Sequence, residues 1–148
     1  MSNDNAPSFE TTIKVRDTCL CLHLQRAARA VARRFDEVLR PLDLTNGQFS
    51  LLMSLNRPQA PTIGNVAALL AMDRTTLTAC LKPLQRRGLV TAAIDAADRR
   101  SRRLMLTEAG RSLLVAALPV WQREHAAVDH QVPAAAADRL RADLRALA

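Results

Sequence analysis

The sequence predicts a single, mostly α-helical domain with one short β-hairpin. Its 148 residues are 49% hydrophobic and 24% charged, the balance of a globular domain that can bury its own core. Apolar residues recur every three or four positions over most of the chain, as in amphipathic helices. The exception is a stretch around position 100, where two short alternating segments flank an arginine-rich loop. We expect one domain over residues 1–148.

Charge and composition limit the function classes. The net charge of +7 suits a polyanionic partner. No apolar run approaches the ~20 residues that span a bilayer, and the N-terminus lacks the basic and apolar segments of a signal peptide. Three cysteines without metal-ligand spacing fit a reducing compartment. We therefore expect a cytoplasmic protein without a membrane partner.

The N-terminal third is predicted to be a loose polar arm, residues 1–12, and one long helix from about Arg16 to Arg40, ended by Pro41. Its apolar face steps by three and four residues through Leu20, Leu24, Ala27, Val31, Phe35, Val38 and Leu42. At ~1.5 Å per residue this helix would be about 36 Å long. Because that exceeds what one small domain needs, part of it is expected to pack on another subunit.

Two short helices joined by a tight turn follow. Thr45 and Gln48 have the spacing of a capping box for a helix that continues to Asn56. Thr62 caps the next helix, and the chain then turns into a third helix capped by Asp73. Helices in this order predict a helix-turn-helix.

The helix after Asp73 has one apolar stripe and one basic face. The stripe comprises Leu77, Leu81 and Leu84, with Cys80 expected beside it in the core. The residues of the opposite face all donate hydrogen bonds and none is acidic: Arg74, Thr75, Thr78, Lys82, Gln85 and Arg86. Pro83 predicts a bend without a break because the leucine spacing continues across it. Gly88 supplies the left-handed residue that ends a helix.

The segments after Gly88 predict a β-hairpin. Val90, Ala92 and Ile94 would face inward on one strand, and Leu104 and Leu106 on the other. The loop between them, 95–103, holds four arginines and two aspartates, too many arginines for structural pairing. A charge run of this kind is usually a solvated loop. At a hairpin tip beside a basic helix, however, arginine suits a narrow minor groove, so we favour nucleic-acid contact.

These motifs resemble the MarR family of winged helix-turn-helix repressors. The family pattern of Asp, one residue, Arg, then Leu-Thr and Gly is matched by Asp98, Arg100, Leu106, Thr107 and Gly110. The resemblance implies a winged helix-turn-helix lobe over 45–110, flanked by dimerisation helices over 13–42 and 111–148. It also implies a homodimeric transcriptional regulator that binds an inverted repeat of double-stranded DNA, commonly a repressor.

The C-terminal part is predicted to contain two helices. Thr107 caps a long one that Pro119 kinks, and Pro133 begins the last one. That last helix carries the stripe Leu140, Leu144 and Leu147, which has little to pack on in its own chain. A partner subunit is therefore expected there.

The predicted DNA-binding residues lie on the basic helix, its neighbour and the loop: Thr62, Arg74, Thr75, Thr76, Thr78, Lys82, Arg86, Asp98, Arg99, Arg100 and Arg102. Arg74 is best suited to read guanine by a bidentate contact, whereas Lys82 and Arg86 are placed on phosphates. Thr76 is explained equally well as a capping residue.

In the loop, the resemblance assigns Arg100 to the minor groove, with Asp98 orienting it by an ion pair. Arg99 and Arg102 are assigned to phosphates, and Arg103 is expected only to flank the strand.

The resemblance further implies a small aromatic or phenolic effector, bound between the dimer base and the DNA-binding lobe. Leu24, Phe49, Met53 and Trp121 are the candidate pocket residues. Plain core packing is the alternative interpretation of each.

The cysteines allow a second hypothesis within DNA binding. Peroxide-sensing members of the family, the OhrR type, carry a reactive cysteine near the position of Cys19, so a thiol-based repressor using Cys19 or Cys21 is an alternative. The tyrosines that those members use are absent. Free cysteines are also ordinary small hydrophobes. On one continuous helix the two would face different directions and could not form a disulfide.

Other site chemistry has less support. His125 and Asp129 could share a metal, but His130 points elsewhere, and a solvated helix end explains all three. No phosphate-binding glycine loop, nucleophile elbow or catalytic triad spacing occurs, so we expect no enzyme, no cofactor and no metal. A helical interaction protein that binds an acidic partner instead of DNA is the alternative from another class.

Overall fold

A computed structural model describes residues 6–148 and confirms the predicted fold class, mostly α-helical with a two-stranded hairpin. The helices are α1 (Phe9–Thr18), α2 (Leu20–Leu39), α3 (Asn46–Leu55), α4 (Ile63–Leu69), α5 (Arg74–Arg86), α6 (Glu108–Asp129) and α7 (Ala134–Leu147). The strands are β1 (Val90–Ile94) and β2 (Arg102–Leu106), and a 3-10 turn, Arg40–Leu42, follows α2. Within residues 6–148 none of the helices has both the length and the apolarity that crossing a bilayer requires.

The N-terminal region differs from the prediction, because the single long helix is two helices. Ser8 caps α1, so residues 9–12 are helical and not part of a loose arm, whereas residues 1–5 lie outside the described residues. Cys19 separates α1 from α2 with an extended backbone, φ −69° and ψ 105°. No Gly or Pro lies near Cys19, and the apolar stripe begins only at Leu20, so the sequence gives no sign of an interruption there.

The core lies where α2, α3, α4, α5, β2 and α6 meet. Its largest fully buried side chains are Leu39, Leu52, Val66, Leu77, Leu84 and Leu104. Burying one such side chain stabilises the fold by about 1.5–3 kcal/mol. The predicted stripe of α5 is confirmed, with Leu77, Leu81 and Leu84 at most 2% exposed, and the helix continues past Pro83. Cys80, which was expected in the core, is exposed, because it lies off this stripe.

The predicted caps are present, and they set the order of helices and turns. Thr45 with Gln48, and Thr62 with Asn65, form capping boxes. Asp73 caps α5 and Thr107 caps α6. Ala71 takes a left-handed φ of 51° in the turn between α4 and α5. Each helix of the helix-turn-helix therefore begins where a local side chain satisfies its free amides.

The two strands of the hairpin are buried to different extents. Val90 pairs with Leu106 and Ile94 with Arg102 in an antiparallel register. Leu104 and Leu106 are buried, as predicted. The predicted inward alternation of Ala92 and Ile94 is wrong, since both are exposed and Ile94 is 55% exposed. β2 lies against the turn before α4, where the amide of Leu104 donates to the carbonyl of Pro61, whereas the residues of β1 after Val90 are all exposed.

After the hairpin the chain turns directly into α6. The hydroxyl of Thr107 donates to the carbonyl of Gly88 at 2.6 Å, and Gly88 has the expected left-handed φ of +70°. Gly110 allows α6 to approach Leu89 closely, because a Cβ there would overlap the Leu89 carbonyl. Pro133 is the N-cap of α7 and lies just outside the helix. This join fixes the hairpin against the helices that precede and follow it.

Candidate nucleic-acid interface

The polar face of α5 is fully available to a partner. Arg74, Thr75, Thr78, Lys82 and Arg86 are all exposed, on the side opposite the buried leucines. From Asp73 to Leu106 the chain carries eight basic and three acidic residues, a net charge of +5 out of +7 for the whole protein. The positive charge is therefore concentrated on the hairpin and the helix beside it.

Three of the predicted contact threonines use their hydroxyls within the chain. The hydroxyl of Thr76 donates to Asp73 at 2.6 Å while its amide donates to the same carboxylate at 2.8 Å, and these bonds lower the pKa of Asp73. The hydroxyl of Thr78 donates to the carbonyl of Arg74 at 2.7 Å. Thr62 donates to Asn65 at 2.8 Å. Thr76 thus serves as part of the cap, one of its two predicted roles.

Arg103 has a structural role at the loop end of the hairpin strands. Its Nε donates to the Asp95 carboxylate at 3.0 Å, and its Nη1 donates to the Ala60 carbonyl at 2.6 Å. The backbone is joined to the same turn, because the amide of Leu104 donates to the carbonyl of Pro61 at 2.9 Å. Asp95 is buried, and the Arg103 guanidinium lowers its pKa. The expectation that Arg103 only flanks the strand is wrong, because its side chain ties the hairpin to the turn before α4.

Asp98 shapes the loop by a different contact from the one expected. Its carboxylate accepts from the backbone amide of Arg100 at 3.0 Å, and its carbonyl accepts from the amide of Ser101 at 2.9 Å. Among residues 6–148 it forms no ion pair with the Arg100 side chain, so the predicted pairing is not observed in this state. The side chains of Arg99, Arg100 and Arg102 project from the loop and are exposed.

Three of the four candidate pocket residues lie together. Phe49, Met53 and Trp121 line a cavity of about 370 Å³, with other lining residues Ser50, Ser54, Leu69, Leu70 and Leu118. The Phe49 and Trp121 rings are stacked with centroids 6.0 Å apart, and His125 stacks on Trp121 at 4.5 Å. The cavity therefore offers a largely apolar wall with aromatic faces.

Leu24 is not part of that cavity. It lies in a separate groove of about 520 Å³ that α2 forms with the end of α6 and with α7, where Leu140 and Leu144 also contribute. Both of those leucines are at least 40% exposed. The groove is an apolar surface that this chain does not cover by itself.

The cysteines and the acidic helix end complete the predicted sites. Cys19 is half-buried at the break between α1 and α2, and Cys21 is exposed and accepts from Gln25 at 3.3 Å. Because Cys19 is outside both helices, the argument from a continuous helix against a disulfide no longer applies.

The Asp129 carboxylate is bound by Arg141 at 2.9 Å, and no cluster of three metal-binding side chains occurs within residues 6–148.

The contact between Asp95 and Arg103 is not predicted from the sequence. An acidic residue at the end of a strand and an arginine at the start of the next would meet in any hairpin of this register. The sequence has four arginines in this loop, and it gives no reason to assign the partner of Asp95 to one of them in particular.

Comparison with known proteins gives a consistent result. The model of the MarR family matches residues 44–101. The M. tuberculosis transcriptional regulator MosR, solved in complex with DNA, is 37% identical with a TM-score of 0.78, over 87% of this chain and 92% of that one.

Two curated regulators are similar over shorter stretches. The HTH-type transcriptional regulator TtmR of Methylorubrum extorquens is 33% identical over 66% of this chain and 50% of its own length. The organic hydroperoxide resistance transcriptional regulator of Bacillus subtilis is 31% identical over 62% of each chain. The matches thus span only half to three fifths of these two relatives. With the helix-turn-helix, the hairpin and the motif from Asp98 to Gly110 in place, the chain belongs to the MarR family of winged helix-turn-helix transcriptional regulators.

Proposed function

We propose that the protein is a homodimeric repressor that binds an inverted repeat of double-stranded DNA. One observation carries this proposal: the exposed face of α5 carries Arg74, Lys82 and Arg86 together with threonine hydroxyls and no acidic side chain, beside a loop with three exposed arginines. In a winged helix-turn-helix, such a helix enters the major groove and the hairpin reaches the adjacent groove. Basic residues confined to one lobe supply the phosphate contacts that dominate affinity.

The proposed contact residues differ in which of their hydrogen-bond donors are unused within the protein. The Arg74 guanidinium and the Thr75 hydroxyl form no hydrogen bond within the described part of the chain, so both are available for base edges. Lys82 and Arg86, about two and three turns further along α5, are assigned to phosphate. Arg100 is assigned to the minor groove.

The remaining proposed contacts are less direct. Arg99 and Arg102 flank Arg100 and are assigned to phosphates. Asp98 stabilises the loop backbone by accepting from the Arg100 amide, and it affects DNA binding through the loop conformation without contacting DNA itself. Thr62, Thr76 and Thr78 must rotate their hydroxyls away from their present acceptors to donate to DNA.

The dimer is proposed from the apolar surface at the other end of the molecule. The groove that contains Leu24, and the exposed stripe of Leu140, Leu144 and Leu147, suit the terminal helices of a second copy. Two copies related by a two-fold axis would present α5 to half-sites about 10 base pairs apart.

The effector is proposed to bind in the cavity lined by Phe49, Met53 and Trp121. Its stacked aromatic rings and its volume of about 370 Å³ suit a small aromatic molecule. The cavity also touches Leu69 and Leu70, at the end of α4 and just before the turn into α5. A ligand there would alter the placement of α5, and it would act only through its different affinity for the two placements.

Fluorescence anisotropy against DNA flanking the protein's own gene tests the proposal, with a scrambled duplex of equal length as the control. We expect saturable binding of an inverted repeat at two chains per duplex and at least tenfold weaker binding of the scrambled duplex. Equal binding of both duplexes would refute sequence-specific recognition at this site.

A thiol-based repressor is the second candidate, favoured by the position of Cys19. Its half-buried sulfur lies at a break between two helices, where a covalent change can move α1 without unwinding a helix. The similar B. subtilis protein is named for organic hydroperoxide resistance. If this hypothesis is right, peroxide will release wild-type protein from DNA but will not release the Cys19→Ser variant. Release of both proteins, or of neither, would refute it, with Cys21→Ser and Cys80→Ser as controls.

A further inference from the structure

The guanidinium of Arg74 lies against the first turn of α4, over Gly64. A Cβ added at Gly64 would be 2.9 Å from Nη2 of Arg74, too close unless the guanidinium moves, and 3.6 Å from Cζ, an ordinary contact distance. The backbone does not require glycine here, because Gly64 lacks the positive φ found at Gly88. Glycine inside a helix is unfavourable relative to alanine. The placement of the Arg74 guanidinium seen here is therefore compatible with glycine at this position and not with a larger side chain.

Gly47 provides an internal reference for this interpretation. It occupies the same position of α3 that Gly64 occupies in α4, two residues after a threonine that forms a capping box. A Cβ at Gly47 would meet only the Thr45 hydroxyl, at 4.0 Å. The crowding at Gly64 is therefore not a general property of glycines at this point of a capped helix. It arises from the side chain of Arg74.

We propose that Gly64 is a positioning residue for Arg74, and through it determines which base pair the protein prefers. This inference rests on the proposed DNA-binding function. Glycine leaves a notch in which the guanidinium lies along α4, next to the groove-facing end of α5. All five of its N–H donors remain free within the described chain. A side chain held near its binding geometry loses less rotamer freedom when it binds, so pre-placement raises affinity and sharpens readout.

Alanine at position 64 would displace the guanidinium and not the helix. The atoms in the way are the end of a flexible side chain, which moves more readily than backbone. Alanine also favours α-helix, so Gly64→Ala will fold at least as well as the wild type. The substitution therefore alters the placement of Arg74 while the rest of the lobe stays intact.

The binding test uses an inverted-repeat duplex that the wild-type full chain has selected from a randomised library. We expect Gly64→Ala to weaken binding about tenfold and to flatten the preference at one base pair per half-site, within the range of a lost bidentate contact. Arg74→Ala should lose at least as much, and adding Gly64→Ala to it should change nothing further. Gly47→Ala should bind as the wild type does. The inference is overturned if Gly64→Ala binds within twofold of the wild type, or if it weakens Arg74→Ala by the same factor.

A measurement without DNA separates this inference from the proposed function. The Nε–Hε signal of Arg74 in an NMR spectrum, assigned by its loss in Arg74→Lys, should shift in Gly64→Ala and stay in place in Gly47→Ala. If the wild type selects no sequence, the proposed function fails and specificity fails with it. An unmoved signal in Gly64→Ala would overturn the positioning of Arg74 even if DNA binding is confirmed.

Discussion

The winged lobe (residues 45–110) and the outer helices, α1 and α7, bury their apolar residues to very different extents. In the lobe, Leu77, Leu84 and Leu104 are all completely buried. In α7, Leu144 is 40% exposed and Leu147 is 59% exposed, and α1 has no buried residue at all. The lobe therefore obtains its stability from contacts within one chain. The outer helices have apolar residues that the other described residues, 6–148, leave exposed.

The difference suggests a division of roles. A lobe with a complete core presents the donors of α5 and the loop arginines in a fixed geometry, which favours selective readout. Helices that bury their faces only against a second copy set the separation of two such lobes. A ligand or a chemical change that alters the outer helices would then act on DNA binding without touching the interface itself.

The largest expected effect is inside the lobe. Leu81→Ala removes a side chain that is 2% exposed and should lower the free energy of unfolding by about 2–5 kcal/mol, through lost burial and the cavity left behind. Its neighbour Cys80 is exposed, so Cys80→Ala should change the free energy by less than about 0.5 kcal/mol. Urea denaturation of both variants makes the comparison. A similar loss in both would mean that Cys80 belongs to the core after all.

The next effect is at the outer helices. Leu144→Glu puts a charge into the apolar stripe of α7 and should weaken self-association by at least about tenfold, because a charge is costly to bury. Sedimentation velocity should then detect monomers at concentrations where the wild type is dimeric. Ile94→Glu, at a residue 55% exposed on the hairpin, should leave the mass unchanged. If Leu144→Glu sediments like the wild type, α7 is not part of the dimer base.

A smaller effect is expected at the ion pair that ties the hairpin to the turn before α4. Arg103 lowers the folded-state pKa of Asp95, so this pair stabilises the fold above the ordinary aspartate pKa of about 3.9. The stabilisation is lost as the pH falls below that value, through the lower folded pKa. Asp95→Asn should therefore have a lower Tm than the wild type at pH 7, and the difference should shrink towards pH 3. Thermal unfolding at several pH values measures it, and a constant difference would contradict the assignment.

The smallest effect is on the salt dependence of DNA binding. Arg102→Ala removes one phosphate-directed cation from each of the two subunits and should make the plot of log K against log salt shallower by about 2. Arg139→Ala removes an exposed arginine of α7, distant from α5 in the sequence, and should leave the slope unchanged. Equal changes in both variants would point to overall charge instead of a local contact.

The sequence was most informative where the signal is local. Thr45, Thr62, Asp73 and Thr107 were each identified as caps, because a capping residue acts on amides only two or three positions away. The α5 stripe was equally readable from its leucine spacing. The family motif from Asp98 to Gly110 then connected these elements to a known fold.

The features that the sequence does not predict depend on where an element lies in the fold and on which groups come within reach of it. The break at Cys19 has no Gly or Pro to mark it, and the apolar stripe begins only after it. Alternation predicts that Ile94 faces inward, but every residue of β1 after Val90 is exposed, because only β2 lies against the turn before α4. Arg103 differs from the arginines beside it only because Asp95 and the Ala60 carbonyl lie within reach. The partner of Asp98 was likewise a backbone amide and not the expected guanidinium.

The measurement that tests the central claim most directly is the salt dependence of binding to the inverted repeat, by fluorescence anisotropy of the wild-type protein. Four phosphate-directed cations in each of two subunits predict that log K falls linearly with log salt, with a slope of about −7. A steep, linear loss of affinity would support a lobe that recognises DNA through α5 and the loop. Binding that is insensitive to salt, or no binding at low salt, would contradict it and favour a protein partner for the same basic surface.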